Sequence, residues 1–110
     1  MSANVSMHDL NKLVGHLGNG EIVLDVRSPE EYADGHIAGA KNIPHDQVVS
    51  HADELKKYKK IYVHCMRGGR AGMAFEALKA KGLTNLVCIS SGGMADWMSA
   101  GYPTKRGAQP

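Results

Sequence analysis

Short apolar runs alternate along the chain with segments in which apolar residues recur at helical spacing. The apolar runs are residues 21–26, 61–63 and 86–89, and residues 41–43 are interpreted as a further short strand that ends at Pro44. Runs of this length predict β-strands rather than helices. The first run is almost continuously apolar, which is typical of a strand covered on both faces. The pattern therefore predicts a parallel sheet.

Capping signals precede the first two helical segments. Ser6 and Asp9 have the spacing of a capping box, and apolar positions at helical spacing follow over residues 10–17. Ser28 and Glu31 repeat the signal around a proline at the first helical position. Both places are predicted to be helix starts.

Three further helical segments are predicted. Residues 45–60 have room for one or two helical turns, and a stripe of apolar side chains marks residues 71–78. In the last helix Met94, Trp97 and Met98 fall on one face, where a core position is expected. The residues from 104 to 110 are expected to form a flexible tail.

Strands alternating with helices indicate an α/β fold. We expect a single domain over residues 1–110, with a mostly parallel sheet and helices on both faces. Sites in such sheets lie at the carboxyl ends of the strands. Residues 25–27, 65–70 and 90–92 each follow a predicted strand, so we expect them to surround one site.

Composition narrows the functional classes. A formal net charge of +2 is too small to indicate nucleic-acid binding, and the densest basic run is interpreted as a solvated surface: Lys56, Lys57, Lys59 and Lys60. Residues 1–6 show no signal-peptide pattern, and no apolar run approaches membrane-spanning length. The 2 cysteines make no disulfide framework. We therefore expect a cytoplasmic protein without nucleic-acid or membrane partners.

The strongest chemical signal lies in residues 62–71, which read as a strand, a Gly-rich loop and a helix start. Such a loop turns successive N–H groups inward, and the helix directs its positive dipole end at the same place. Cys65 opens the loop, so a thiolate is the natural occupant. Arg67 and Arg70 add positive charge on either side. Cys65 is therefore the candidate nucleophile.

A simpler interpretation makes Cys65 a small buried hydrophobe at a strand end, which is the usual place of a structural thiol. The glycine pair Gly68 and Gly69, the arginines and the helix start together favour the nucleophile. Because a nucleophile must meet a donor from solution, we expect Cys65 not to be fully buried. Cys88, in the apolar run 86–89, is expected to be buried and structural.

Taken together, the motifs closely resemble the single-domain members of the rhodanese family. The matching motifs extend over nearly the whole chain: Leu24 to Tyr32, Gly35 to Ala40, Cys65 to Arg70, Gly92-Gly93 with Trp97, and Gly101-Tyr102-Pro103. The resemblance implies a five-stranded parallel sheet. It also implies a sulfurtransferase that needs no metal or organic cofactor, in which the loop cysteine alternates between thiolate and persulfide.

The resemblance also implies roles for individual residues. Cys65 would carry the sulfur, and the loop that cradles it would be Met66, Arg67, Gly68, Gly69 and Arg70. Arg67 is expected to face an anionic donor such as thiosulfate, with a solvated surface arginine as the alternative, whereas Arg70 braces the loop. Asp25 and Arg27 are interpreted as loop supports. The acceptor would be cyanide or a thiol, including a protein thiol.

The 6 histidines give no metal-site signal, because no pair has ligand spacing on one helix face. His36 is expected to be a structural hydrogen-bonding residue. His64 precedes Cys65 on a strand, so the two side chains should point to opposite faces. A catalytic pair of Cys65 with His64 is therefore disfavoured.

Two rival functions remain at this stage. Phosphatases and arsenate reductases of related fold close a cysteine loop with an arginine after five intervening residues, whereas four residues separate Cys65 from Arg70 here. The shorter loop favours a single sulfur over a tetrahedral oxyanion. The second rival is a binding module or a persulfide carrier. Binding modules of this fold commonly lack the cysteine, which this chain keeps. The persulfide carrier remains an open alternative.

Overall fold

The computed structural model describes residues 5–89 and 91–110. Helices and strands alternate along these residues. The helices are α1 (Met7–Leu13), α2 (Pro29–Asp34), α3 (Ala52–Leu55), α4 (Gly69–Ala80) and α5 (Met94–Ser99). The strands are β1 (Glu21–Asp25), β2 (Lys41–Asn42), β3 (Lys60–His64) and β4 (Leu86–Cys88). Short 3₁₀ turns follow α1 at Val14–His16 and precede α3 at Val48–His51.

The strands form one parallel sheet in the order β2-β1-β3-β4. β1 and β3 pair along their full lengths, from Glu21 beside Lys60 to Asp25 beside His64. The expected parallel sheet is therefore confirmed. Since all strands run the same way, their carboxyl ends meet at one edge of the sheet, and Cys65 follows directly after β3 at that edge.

Helices cover both faces of the sheet, as the sequence pattern predicts, and each covered face has its own buried cluster. On the first face, α3 and α4 pack over Val63 and Cys65. On the second face, α1, α2 and α5 pack over Val23 and Tyr62. Neighbouring strand residues alternate between faces, so His64 lies on the side of Tyr62, opposite Cys65.

Both predicted capping boxes are present. At α1 the Ser6 hydroxyl accepts a hydrogen bond from the Asp9 N–H, and the Asp9 carboxylate accepts one from the Ser6 N–H. At α2 Ser28 and Glu31 exchange the same pair of bonds. These reciprocal bonds satisfy donors that the first turn of a helix leaves free, which fixes where α1 and α2 begin.

The expectation of five strands is wrong for the described residues, whose sheet has four. The hydrophobic pattern contains only four strand-like runs, and the fifth strand was implied by family resemblance alone. Ahead of α1 the structure describes only Val5 and Ser6. The Ser6 N–H is already bonded to the Asp9 carboxylate, so it caps the helix instead of joining a strand ladder.

The last helix also departs from expectation. Met94 and Trp97 are buried as expected, but Met98 is 42% exposed. Trp97 accounts for the difference, because its ring packs edge-on against Tyr102 at a centroid distance of 5.2 Å and its indole N–H donates to the Pro103 carbonyl. The turn after α5 thus closes over Trp97 and leaves Met98 at the margin.

The segment from 104 to 110 contacts the domain near α2. Lys105 and His36 exchange two backbone hydrogen bonds, of 2.8 and 2.9 Å, and the Gly107 N–H donates to the Ala33 carbonyl. The side chains of this segment are exposed. Its flexibility stays a prediction.

Candidate active site

Cys65 lies at the start of the loop between β3 and α4, and its sulfur accepts backbone hydrogen bonds. The Gly68 N–H donates to Sγ at 3.0 Å and the Ala71 N–H donates at 3.3 Å. Ala71 belongs to the first turn of α4, where N–H groups have no partner within the helix. The arrangement stabilises negative charge on the sulfur, because both donors and the helix dipole present positive ends to it.

The two glycines of the loop differ in what they contribute. Gly68 is the N-cap of α4 with φ of 115°, a left-handed conformation that L-residues with side chains rarely adopt. Gly69 is already helical, and a Cβ placed on it would meet no atom within 4 Å. The loop geometry therefore depends on glycine at position 68 and not at 69.

The loop residues differ sharply in exposure. Cys65 is only 1% exposed, so the expectation that the nucleophile would not be fully buried is wrong for this conformation. Met66 is half-buried and Arg67 is exposed. The loop closes over the thiol because its backbone turns inward to bond the sulfur, and the Arg67 side chain lies outside the closed loop.

The start of α5 holds the backbone of the same loop. The Met94 N–H donates to the Cys65 carbonyl at 2.8 Å, and the Ala95 N–H donates to the Met66 carbonyl at 3.1 Å. This approach is so close that a Cβ on Gly93 would overlap both carbonyl oxygens. Residues 90–92 are predicted to border the site. Ser90 lies outside the described residues, and the residues that follow it lead into the contact of α5 with the loop.

The Arg70 side chain bonds the first turn of α2. Its guanidinium donates to both carboxylate oxygens of Glu31, at 2.6 and 3.0 Å. These bonds lower the pKa of Glu31 to about 2, and the capping bonds from Ser28 act in the same direction. The bracing role of Arg70 stays a prediction. The contact adds Glu31, whose side chain the capping signal alone did not connect to the site.

Asp25 and Arg27 form a fully buried ion pair behind the loop. The Arg27 guanidinium donates to the Asp25 carboxylate through Nε and Nη2, and Nη2 also donates to the Gly35 carbonyl at 2.7 Å. Both side chains are 0% exposed. They join the end of β1 to the segment after α2, a position consistent with support.

His64 connects this ion pair to the cysteine. Its Nε2 lies 3.9 Å from the Asp25 carboxylate, and its Nδ1 lies 3.3 Å from the Cys65 carbonyl oxygen. Burial is the main cause that lowers the pKa of His64, while the nearby Asp25 carboxylate opposes it. The contacts of His64 are thus with the backbone of Cys65 and with Asp25, and the bonds to Sγ come from the loop.

The sequence profile of the family described as "Rhodanese-like domain" matches residues 9–100. The chain belongs to the rhodanese-like domain family. The solution structure of the rhodanese-like domain from the Anabaena sp. Alr3790 protein has a TM-score of 0.83 to this chain at 29% identity. The matched region spans 98% of this chain and 82% of the Anabaena structure.

Two curated relatives of this rhodanese-like chain carry different names. "Thiosulfate sulfurtransferase 16, chloroplastic" of Arabidopsis thaliana is 36% identical over 113 residues, which span 89% of this chain and 86% of that protein. "Putative sulfur carrier protein YrkF" of Bacillus subtilis is 39% identical over 75 residues, which span 68% of this chain. The chain spans 40% of the length of YrkF and 59% of a second Bacillus subtilis relative, YqhL.

Sequence reasoning missed three site residues of this rhodanese-like domain. Glu31, His64 and Gly93 contact the loop or its supports. The sequence showed only that Glu31 caps a helix, that His64 lies in a strand and that Gly93 belongs to a family motif. Cys88 is half-buried at the edge of the first cluster, where full burial was expected. β4 lies at the edge of the described sheet, which leaves its side chains partly open.

The described residues of the rhodanese-like domain contain neither a metal-binding cluster nor a helix able to span a membrane. Within residues 5–89 and 91–110, no three His, Cys, Asp or Glu side chains are arranged to hold a metal ion. No helix in that part of the chain combines the length and apolar character needed to cross a bilayer.

Proposed function

We propose that the protein is a sulfurtransferase that moves a sulfane sulfur from thiosulfate to a thiol or to cyanide through a persulfide on Cys65. The observation that carries the proposal is the pair of backbone hydrogen bonds from Gly68 and Ala71 to Sγ. These donors favour the thiolate, which is the form of cysteine that attacks sulfur.

The reaction consists of two sulfur exchanges. In the first, the Cys65 thiolate attacks the outer sulfur of thiosulfate, the sulfur–sulfur bond of thiosulfate breaks, and sulfite leaves with the electron pair. In the second, an acceptor thiolate or cyanide attacks the terminal sulfur of the persulfide, and the electron pair of the broken bond returns to Sγ. The electrons balance without a metal or an organic cofactor. The N–H groups of Gly68 and Ala71 stabilise the negative charge on Sγ before the first exchange and again after the second.

The loop length argues against the oxyanion chemistry of related phosphatases. Four residues separate Cys65 from Arg70. Arg70 is also engaged with Glu31 by two hydrogen bonds, so it is not directed at a substrate in the loop. A small cradle with two N–H donors suits one sulfur atom better than a tetrahedral anion.

A persulfide carrier is the second candidate, because it needs the same cysteine and the same loop. The names of the relatives support both readings, since one is called a thiosulfate sulfurtransferase and the other a sulfur carrier. Turnover separates them: an enzyme regenerates its thiolate repeatedly with a small acceptor, whereas a carrier delivers one sulfur per loading to a protein thiol. Both fit the expected reducing, cytoplasmic setting.

Mass spectrometry of the intact protein after incubation with thiosulfate tests the sulfur-carrying role. We expect the mass to rise by one sulfur atom in the wild type and in Cys88→Ser, and not in Cys65→Ser, because the N–H groups of Gly68 and Ala71 donate to the sulfur of Cys65. Adding cyanide or a thiol should then restore the original mass, and steady-state turnover should be abolished only in Cys65→Ser.

Cys88→Ser is the matched control, since it replaces the second thiol, which lies in β4 and packs against the same buried cluster. A moderate loss of stability in this variant is expected from the half-buried hydroxyl and is not a test of the mechanism. A persulfide on Cys88 in the Cys65→Ser protein would contradict the assignment of the nucleophile. One sulfur accepted per protein, without turnover by small acceptors, would favour the carrier.

A further inference from the structure

The tautomer of His64 follows from its hydrogen-bond partner. Its Nδ1 lies 3.3 Å from the carbonyl oxygen of Cys65, and a carbonyl can only accept. Nδ1 therefore carries the proton and donates it. His64 is 0% exposed, so no competing bond from bulk solvent replaces this one.

The other side of the ring faces charged groups. Nε2 is 3.9 Å from the Asp25 carboxylate and has no hydrogen-bond partner among the described residues. The charged groups that act on the ring are Asp25 at the end of β1 and Arg27 just after it, and burial outweighs the attraction of Asp25 in lowering the pKa of His64. The ring is therefore neutral, and it contacts the Cys65 loop through Nδ1. The charge of Asp25 is already compensated by its ion pair with Arg27.

The Cys65 carbonyl receives a second bond from another element. The Met94 N–H at the start of α5 donates to the same oxygen at 2.8 Å. A carbonyl oxygen has two lone pairs, so the two donors together satisfy it and fix the peptide between Cys65 and Met66. That peptide begins the turn whose later N–H groups reach Sγ.

We propose that His64 is a positioning residue that holds the first peptide of the catalytic loop through its Nδ1–H, and thereby keeps the Gly68 and Ala71 N–H groups on the sulfur of Cys65. This inference rests on the proposed sulfur transfer through Cys65. It assigns His64 no proton transfer, since the ring contacts the backbone and not the reacting atoms.

Three substitutions separate the hydrogen bond from the burial of the ring. In His64→Asn the amide nitrogen can take the place of Nδ1 and keep the bond to the Cys65 carbonyl. In His64→Gln the amide reaches the place of Nε2 instead and faces Asp25, whereas His64→Leu keeps only the apolar volume. Each is made in the Cys88→Ser background, and urea unfolding confirms that it is folded.

The readouts are kcat and KM with thiosulfate, together with the rate of Cys65 alkylation by iodoacetamide. We expect His64→Asn to keep kcat within about twofold, and the Gln and Leu variants to lose about tenfold in kcat with little change in KM, because one positioning bond is lost. Alkylation rates should follow the same order. Loss of stability alone would instead lower the folded fraction of each variant without this order.

Equal kcat in the Asn and Gln variants, or an effect confined to KM, would overturn the positioning role. The two hypotheses fail differently. If the wild type forms no persulfide on Cys65, the proposed function fails, and the alkylation rates of the four proteins still decide whether His64 organises the loop. If His64→Gln or His64→Leu does not fold, the other one gives the same comparison with His64→Asn and the wild type. If His64→Asn does not fold, unchanged kcat and alkylation rates in the Gln and Leu variants would overturn the positioning role.

Discussion

The two arginines of the loop differ in how their charge is used. Arg70 is bonded to Glu31 through both carboxylate oxygens. Arg67 is exposed, and among the described residues its side chain makes no hydrogen bond or ion pair. An uncompensated positive charge beside a buried thiol attracts anions to it. We therefore propose that Arg67 recruits thiosulfate.

Replacing Arg67 by alanine should raise the KM for thiosulfate several-fold and leave the rate with an uncharged sulfane-sulfur donor nearly unchanged. Raising the ionic strength should weaken the wild type in the same direction, because salt screens the attraction. Lys57→Ala is the matched control, since Lys57 is an exposed cation in the segment ahead of β3, at the other end of that strand from Cys65. Equal losses with charged and uncharged donors would remove Arg67 from donor binding.

At the level of single residues, the sequence was most informative where the backbone determines the chemistry. Cys65 and Gly68 could be predicted because a cysteine, a glycine pair and a helix start are adjacent in the chain. The burial of Cys65 was not predictable from the same residues, since it depends on how the loop folds back over the sulfur. The bond from His64 to the Cys65 carbonyl depends on a side-chain rotamer, which strand alternation does not specify.

The ion pair of Glu31 with Arg70 joins the first turn of α2 to the first turn of α4. Its side chains are 30% and 31% exposed, so the contribution of the pair to global stability is expected to be modest. The pair matters more for the position of α4, because Glu31 also caps α2 and its side chain is therefore held in place. The pair therefore restrains the helix that supplies the Ala71 N–H.

Glu31→Gln should slow persulfide formation several-fold while lowering the free energy of unfolding by only about 1 kcal/mol. The measurement is single-turnover formation of the Cys65 persulfide, followed by mass, alongside urea unfolding. Glu54→Gln breaks a comparable exposed pair with Lys41, away from the loop, and should leave the rate unchanged. If both variants react at the wild-type rate, the pair does not position α4.

The helices and strands were largely predictable, and the errors have identifiable causes. Capping boxes fixed the starts of α1 and α2 because their bonds join residues three apart in the chain. The fifth strand rested on resemblance, and no hydrophobic run supported it. The exposure of Met98 depends on the turn after α5, where Tyr102 packs against Trp97, a contact that helical periodicity does not contain.

Across the whole molecule, the burial of His64 behind the loop makes stability depend on pH. Asp25, Arg27 and His64 are each 0% exposed, and they lie where β1 and β3 end. His64 is charged in the unfolded chain below its ordinary pKa of 6.5, whereas burial lowers its pKa in the folded protein. Below pH 6.5 the unfolded chain therefore binds a proton that the folded chain resists, and acid favours unfolding.

The free energy of unfolding of the wild type should thus fall as the pH drops below 6.5, with a His64 contribution approaching about 1.4 kcal/mol per pH unit at most. His64→Asn removes the titrating group and keeps the other histidines, so the difference between the two proteins isolates this contribution. Urea unfolding at several pH values measures it. Glu31 does not interfere in this range, because its stabilising effect is present above its ordinary pKa of 4.5 and is lost only as the pH falls from there toward about 2.

A difference between wild type and His64→Asn that stays constant with pH would mean that the folded protein protonates His64 as readily as the unfolded chain. The attraction of Asp25 would then balance the cost of burial, and the pKa of His64 would not be lowered in the folded protein.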